Sequence, residues 1–430
     1  MNQNSKNSTL RSPGYFKYMM VILMLVLILD NYTQFYSSVI PSKVIEDLLG
    51  NYPQNEAISI FAFSMAIASL GSYVTFLVWY LSDRVGRKFL LVLSVFGMAF
   101  ASLGILFSRN IVEYTFFRFI LAMFVNSDIW LIYLNEESPP EKKAFWTNIA
   151  LMGGIVGILL MAVFRAIYIY EGAPIGAWRG MTYFSIFIGI PLGILIAFTI
   201  KETSKYEEIK ESRLKRKDKT NILRKNLNTI LKSDNRMVFI TVLILHSIWI
   251  LNGIYYSLAE LYMAQSPYLN DGDINIVVLI LVPSIMGGFL VTGIFADKIG
   301  RKPLLYIYIL IFYIGAIVFL VGAITPGFAL ILVCIGQAMI NIAYWGTWVL
   351  LSIITIELVP TEARGTGTGL KYLMGKIAGT VSLLITAVII FFFSLSVVFV
   401  LFLILQLINI PLIYKFMIET RGTDLSQIKS

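Results

Sequence analysis

Twelve long apolar runs follow one another along the chain, each closed by a short polar stretch. They fall near residues 17–40, 57–81, 89–107, 111–134, 147–170, 178–200, 237–264, 274–296, 303–323, 328–356, 369–392 and 396–417. A helix that crosses a bilayer needs about 20 mostly apolar residues, because each rises ~1.5 Å through a core ~30 Å thick. Every run meets that length. The runs are continuous and do not alternate, which excludes a transmembrane β-barrel. The first lacks a small-residue cleavage site and is longer than a signal core, so it is expected to stay in the mature protein. The pattern predicts an all-α integral membrane protein with twelve transmembrane helices in two pseudo-symmetric six-helix bundles.

The bundles are delimited by the longest polar stretch, 201–236, a linker between residues 1–200 and 237–430. Two motifs recur across it. Asp83-Arg84-Val-Gly86-Arg87-Lys88, between spans 2 and 3, returns as Asp297-Lys-Ile-Gly300-Arg301-Lys302 between spans 8 and 9. Glu136-x-x-Pro139-x-x-x-Lys143, after span 4, returns as Glu357-x-x-Pro360-x-x-x-Arg364 after span 10. Parallel halves of this kind meet about an axis along the membrane normal, with a solute site near the midplane.

Composition narrows the class further. The chain is 58% hydrophobic and 14% charged, with a mean hydropathy of +0.79, against about 25% charged residues in soluble proteins. Too few polar side chains remain to cover a wet surface, so lipid is the expected partner. A net charge of +9 would suggest nucleic acid in a soluble chain. Here nearly all the basic residues fall on one side, in the termini, the even-to-odd loops and the central linker. Arg364, Lys371 and Lys376 are counted with the loop between spans 10 and 11, while Lys43, Arg109, Arg165 and Arg179 fall opposite. That bias places both termini in the cytoplasm of a multi-pass plasma-membrane protein, with no nucleic-acid partner.

Cys334 is the single cysteine, so no intrachain disulfide forms. No metal cluster, nucleophile arrangement or paired acids stand near an interface, so neither an enzyme nor a metal or cofactor is expected. Gly365-Thr-Gly-Thr-Gly369 is not followed by the Lys-Ser/Thr of a phosphate loop and reads as helix-packing glycine. The energy must come from an ion or solute gradient. The short C-terminal tail argues against a sensor, and a monomer is expected.

The repeated loop motifs resemble the major facilitator superfamily, over nearly the whole chain. The Glu-x-x-Pro pair, Lys201-Glu202-Thr203 after span 6 and Glu419-Thr420-Arg421-Gly422 near the C-terminus are similar to its branch of sugar porters and metabolite:proton symporters. Departures are Trp79 for a loop glycine, Lys143 for arginine, and a span 7 that keeps only Asn252 and Tyr255-Tyr256 of the sugar-porter signature. The resemblance implies alternating access, with Asp83, Arg84, Gly86, Arg87, Glu136, Asp297, Gly300, Arg301, Glu357 and Arg364 in cytoplasmic gating motifs. Asp83 is expected to accept from a helix N-terminus. Arg364 is expected to pair with Glu136 or Glu357.

An acid in span 1 and an arginine in span 4 match the proton-coupling pair of the resembling symporters, here Asp30 and Arg118, at similar depths. A carboxylate beside arginine stays ionised, and separation lets it take a proton. The alternative is a fixed structural ion pair. Asn252 and Tyr256 in span 7, and Gln337, Asn341, Trp345 and Trp348 on one face of span 10, are candidates to line the solute site. Arg165 in span 5 could draw an anion or snorkel to the interface. His246 is expected to satisfy a helix–helix hydrogen bond, and Glu260 to be solvated. Two readings follow. One is a proton-coupled symporter of a sugar or organic acid; the other is a proton-driven exporter or an uncoupled facilitator of drugs or organic cations.

Overall fold

A computed structural model describes residues 12–74, 85–139, 142–204, 206–207, 222–360 and 363–421. The described residues contain helix and no strand. Among the described residues twelve helices are long and apolar enough to cross a membrane: Pro13–Ser38, Gln54–Tyr73, Arg87–Leu106, Ile111–Glu137, Phe145–Tyr168, Ala177–Thr199, Arg236–Ser257, Asp271–Ile299, Arg301–Gly322, Ala329–Leu358, Arg364–Phe392 and Leu395–Phe416. Their starts follow local chemistry. Pro13 opens span 1 behind Ser12, which accepts from the Tyr15 amide, and Asn110 caps span 4 through the Glu113 amide at 2.9 Å. Asn270 and Asp273 form a reciprocal capping box at the start of span 8. Large apolar side chains face outward, Phe198 with 85% of its surface exposed. Such a surface suits acyl chains and not water. The protein is an all-α, multi-pass membrane protein.

Packing sorts the chain into two compact units. The first comprises Met1–Ser37, Ile67–Ile169 and Ala173–Lys219. Spans 1 and 5 approach closely because glycine removes the side chain at the crossing: a Cβ on Gly157 would run into the Ile28 carbonyl and stand 3.0 Å from the Tyr32 amide. Only backbone lies there, so alanine would have to force the helices apart, at about 1–3 kcal/mol. Gly189 against Ala99 does the same for spans 3 and 6. Span 4 is not one helix. It is helical over Ile111–Phe124 and Ile129–Glu137, and between them Asn126 and Asp128 take positive φ of 58° and 52°. Asn and Asp tolerate that region better than other non-glycine residues, though each adds strain.

The second unit comprises Ser38–Ala66, Tyr170–Gly172 and Thr220–Ser430. Spans 8, 9 and 10 pack through Gly288, Gly315 and Gly336, whose absent side chains admit the neighbouring backbone. Tyr255, Phe312, Phe319 and Phe399 interlock edge to face in the core. Span 7 is broken after Leu251 at Asn252-Gly253 and resumes as Ile254–Ser257 and Ala259–Ala264. Residues 38–66 belong to this unit although they precede the sequence repeat's midpoint. Glu260 explains part of that. It is not solvated but buried, accepting from the Ser42 amide and hydroxyl at 2.9 and 2.5 Å, where it caps the short helix Pro41–Leu48. Unsatisfied amides at a helix N-terminus favour a carboxylate. Lys43 pairs with Asp271 at 2.9 Å beside it.

Candidate transport site and gating networks

Each unit carries its own copy of one polar network. Gly86 and Gly300 have φ of +111° and +105° and lead straight into spans 3 and 9. A glutamate caps each of those helix starts. Glu202 accepts from the Arg87 and Lys88 amides at 3.0 and 3.2 Å, and Glu419 accepts from the Arg301 and Lys302 amides at 2.8 and 3.1 Å. A Cβ on Gly86 would stand 2.5 Å from Glu202 Oε2, and one on Gly300 2.6 Å from Glu419 Oε2. Both the backbone conformation and the cap therefore require glycine.

The arginine after each glycine turns inward. Arg87 Nη2 meets Glu136 Oε1 at 3.0 Å, and Arg301 Nη2 meets Glu357 Oε1 at 2.7 Å. The neighbouring threonine completes each copy: Thr203 Oγ1 donates to Glu136 and Thr420 Oγ1 to Glu357, both at 2.5 Å. The sequence repeat thus extends to a third element, Glu202-Thr203 matching Glu419-Thr420. The carboxylates at the helix starts are these glutamates. Asp297 is 80% exposed and pairs with Arg301 a turn away, while Asp83 and Arg84 lie outside the described residues. Arg364 does not join either glutamate among the described residues; its Nε and Nη2 find no hydrogen-bond partner there.

Burial alone would raise the Glu419 carboxyl, but the amides of Arg301, Arg421 and Lys302 and the Arg301 charge outweigh it and hold it below the usual carboxylate range. A carboxyl depressed on folding stabilises above its unfolded value, near 4.3 for glutamate, and that contribution is lost as pH falls through the folded value. Acidification below about pH 4 should therefore release the segment after span 12, read as increased protease access to it. A Glu419→Gln variant should show no such acid-dependent increase.

In the first unit Asp30 is buried, 6% exposed. Its carboxylate accepts from the Asn126 amide at 2.9 Å, so it fills the break in span 4. Among the described residues no ion pair joins it to Arg118, whose guanidinium instead stands over the Tyr36 ring, 5.9 Å from the centroid. The expected pair is separate in this conformation. Arg165 is fully buried in the last turn of span 5, which leaves no room for snorkelling. Asp128 lies at the span 4 break itself.

In the second unit the break in span 7 brings polar groups together. Asn252 spends its amide nitrogen on the Ile248 carbonyl and Gln337 spends its own on the Tyr255 carbonyl, at 3.3 and 3.2 Å. Their oxygens, Asn252 Oδ1 and Gln337 Oε1, are buried with no partner among the described residues. Asn341 donates back to Gln337 O at 2.7 Å within span 10. Tyr256, Trp345 and Trp348 form a row of rings with centroids 6.3 and 6.1 Å apart, and Tyr372 of span 11 continues it at 6.0 Å. Ser38 Oγ donates to Tyr256 Oη at 3.0 Å.

Two features were not foreseen. His246 makes no helix–helix hydrogen bond among the described residues: its Nδ1 has no partner, and its Nε2 lies against Gly375 of span 11. Lys371, counted with the cytoplasmic charges although it falls inside the apolar run of 369–392, is a charge within a span. Span 11 starts at Arg364, so Lys371 sits about 10 Å along it at ~1.5 Å per residue, with no exposed surface. The glycines of 365–369 lower the apparent hydropathy and hide the helix start; Gly367 packs on Val359, whereas a Cβ on Gly365 or Gly369 would meet nothing within 4 Å, so only one of the three is a packing glycine. The signal available was the four-residue spacing of Lys371 and Gly375.

Known proteins share this architecture. The chain is 25% identical over 384 residues to YwtG of Bacillus subtilis (strain 168), whose name assigns it provisionally to metabolite transport, with 81% of each chain covered. It is 24% identical over 386 residues to the glucose transporter GlcP of Staphylococcus epidermidis, covering 81% of this chain and 83% of that one. The fold matches the inward-open xylose transporter XylE of E. coli with a TM-score of 0.74 at 18% identity, over 96% and 99% of the two chains. The family model described as Major Facilitator Superfamily matches residues 19–382. With twelve spans and a duplicated loop network behind that match, this chain belongs to the Major Facilitator Superfamily.

Proposed function

We propose that the protein is a secondary active transporter that moves a small polar metabolite, a sugar or an organic acid, by alternating access with a co-transported proton. The bias of basic residues supports a plasma-membrane orientation with both termini in the cytoplasm. The names of the relatives, a metabolite transport protein and a glucose transporter, support the solute class.

The observation that carries the proton is Asp30. A carboxylate inside a span is costly unless paired or lining a watery path. Among the described residues this one accepts from the Asn126 amide, and the Arg118 guanidinium faces a ring instead. Such a group can take a proton in one conformation and lose it in another where Arg118 comes near. Unpaired amide oxygens of Asn252 and Gln337 next to a row of half-buried rings fit hydroxyl donors and an apolar ring face. The Arg87 and Arg301 networks supply the two ties that make and break during gating.

Purified protein in liposomes, offered labelled sugars and organic acids under an inward proton gradient, should concentrate a solute of this class. Collapse of the gradient by an uncoupler should reduce uptake to equilibration. Accumulation that ignores the uncoupler would rule out proton coupling.

A further inference from the structure

The second unit holds a charged group, fully buried inside a span, that no part of the gating or proton scheme uses. Lys371 has 0% exposed surface in the interior of span 11. Its ammonium donates to Ser352 Oγ of span 10 and stands 5.4 and 4.6 Å from the ring centroids of Trp348 and Tyr372. Its other ionisable neighbour is His246, a second basic group. No ion pair reaches it among the described residues. The described acids of this unit, among them Glu260, Asp271, Asp297, Glu357 and Glu419, lie at or near helix ends and are engaged there.

An ammonium has three donors, and one hydroxyl with two ring faces leaves it short of an anion. Removing a charge from water without a counter-charge is expensive, and hydrogen bonds alone do not repay it. Residues of this type inside a span usually face a partner or a substrate path. The position is consistent with a path. Trp348 and Tyr372, which cover the ammonium, are themselves half-exposed or exposed and continue the row from Tyr256 and Trp345. That row starts at the span 7 break, where Asn252 and Gln337 offer unpaired acceptors. The flexible four-carbon stem lets the ammonium swing out between the two rings.

We infer that Lys371 is the charge-recognition point of the solute site, and that the solute is a hydroxylated monocarboxylate, its carboxylate on Lys371 and its hydroxyls on the Asn252 and Gln337 oxygens. The inference rests on the transporter reading above and narrows it from sugar or organic acid to acid. A neutral sugar would leave the lysine uncompensated. Ser352 and the two rings position the ammonium; Gly375 gives His246 room beside it, which keeps a second donor near the same carboxylate.

The test uses matched pairs, gluconate with glucose, xylonate with xylose and quinate with inositol, in liposomes holding the full chain. Wild-type protein should accumulate at least one acid, and its neutral counterpart should compete poorly. Lys371→Met should cut the acid-over-neutral preference by about 30-fold or more, the usual result of removing one member of a buried charge pair, whereas Lys371→Arg should retain much of it. If Lys371→Met does not fold, the melting temperature of wild-type protein decides: the acid should raise it and the neutral partner should not. Transport of a neutral sugar with Lys371→Met unaffected would overturn the inference and leave the transporter reading standing. An acid preference that survives both substitutions would overturn it too. No uptake of any pair by folded protein would remove the transporter reading along with it.

Discussion

Asp30→Asn should abolish proton-driven accumulation, by about 10²-fold on the scale of other positioned proton-transfer groups, while leaving equilibrative exchange at equal pH. The substitution separates two roles that one carboxylate carries. Asparagine keeps an oxygen that can accept from the Asn126 amide, so the break in span 4, with its strained Asn126 and Asp128, stays capped. It cannot carry a proton. A variant that loses both accumulation and exchange would mean that the negative charge, through the span 4 break, holds the structure. A variant that accumulates solute as before would remove Asp30 from coupling.

The second large effect is expected at the loop networks. Arg301→Met takes away the guanidinium that contacts Glu357 through Nε and Nη2 and the Ala296 carbonyl through Nη1. Glu357, 13% exposed, is then left with only the Thr420 hydroxyl among the described contacts. Breaking a buried pair from one side costs roughly 3–5 kcal/mol, because the remaining charge stays buried. The melting temperature in detergent should fall accordingly, and Arg301→Met with Glu357→Gln should recover part of the loss. Arg87→Met should behave in parallel, since Arg87 and Glu136 occupy the same arrangement in the other unit. A double variant no more stable than Arg301→Met would show that the stranded Glu357 charge is not what costs the stability.

Much of this was legible in the chain. Hydropathy placed all twelve spans, because bilayer thickness fixes the length of an apolar run more tightly than a soluble core does. The repeated Asp-x-x-Gly-Arg-Lys and Glu-x-x-Pro motifs marked the segments that form the networks. Three things escaped. Span 11 begins at Arg364, five residues before the apolar run of 369–392, because the low hydropathy of Gly365–Gly369 masks helix, and Lys371 lies inside that run although its charge is counted with the cytoplasmic side. The breaks in spans 4 and 7 are local conformational events of a few residues inside apolar runs. Asn126-Ser-Asp128 and Asn252-Gly253 are turn-forming residues and were the available signs. Side-chain pairing across the fold could not be read either. Asp30 chooses a backbone amide over Arg118, and Glu260 chooses a helix start over water, because both partners come from segments far away in sequence.

Coupling of solute entry to proton entry is the central claim. It is measured most directly by adding solute to liposomes containing the protein, with no imposed gradient, and recording external pH. Wild-type protein should alkalinise the medium as solute enters, and Asp30→Asn should not. Solute uptake by wild-type protein with no change in external pH would contradict the account.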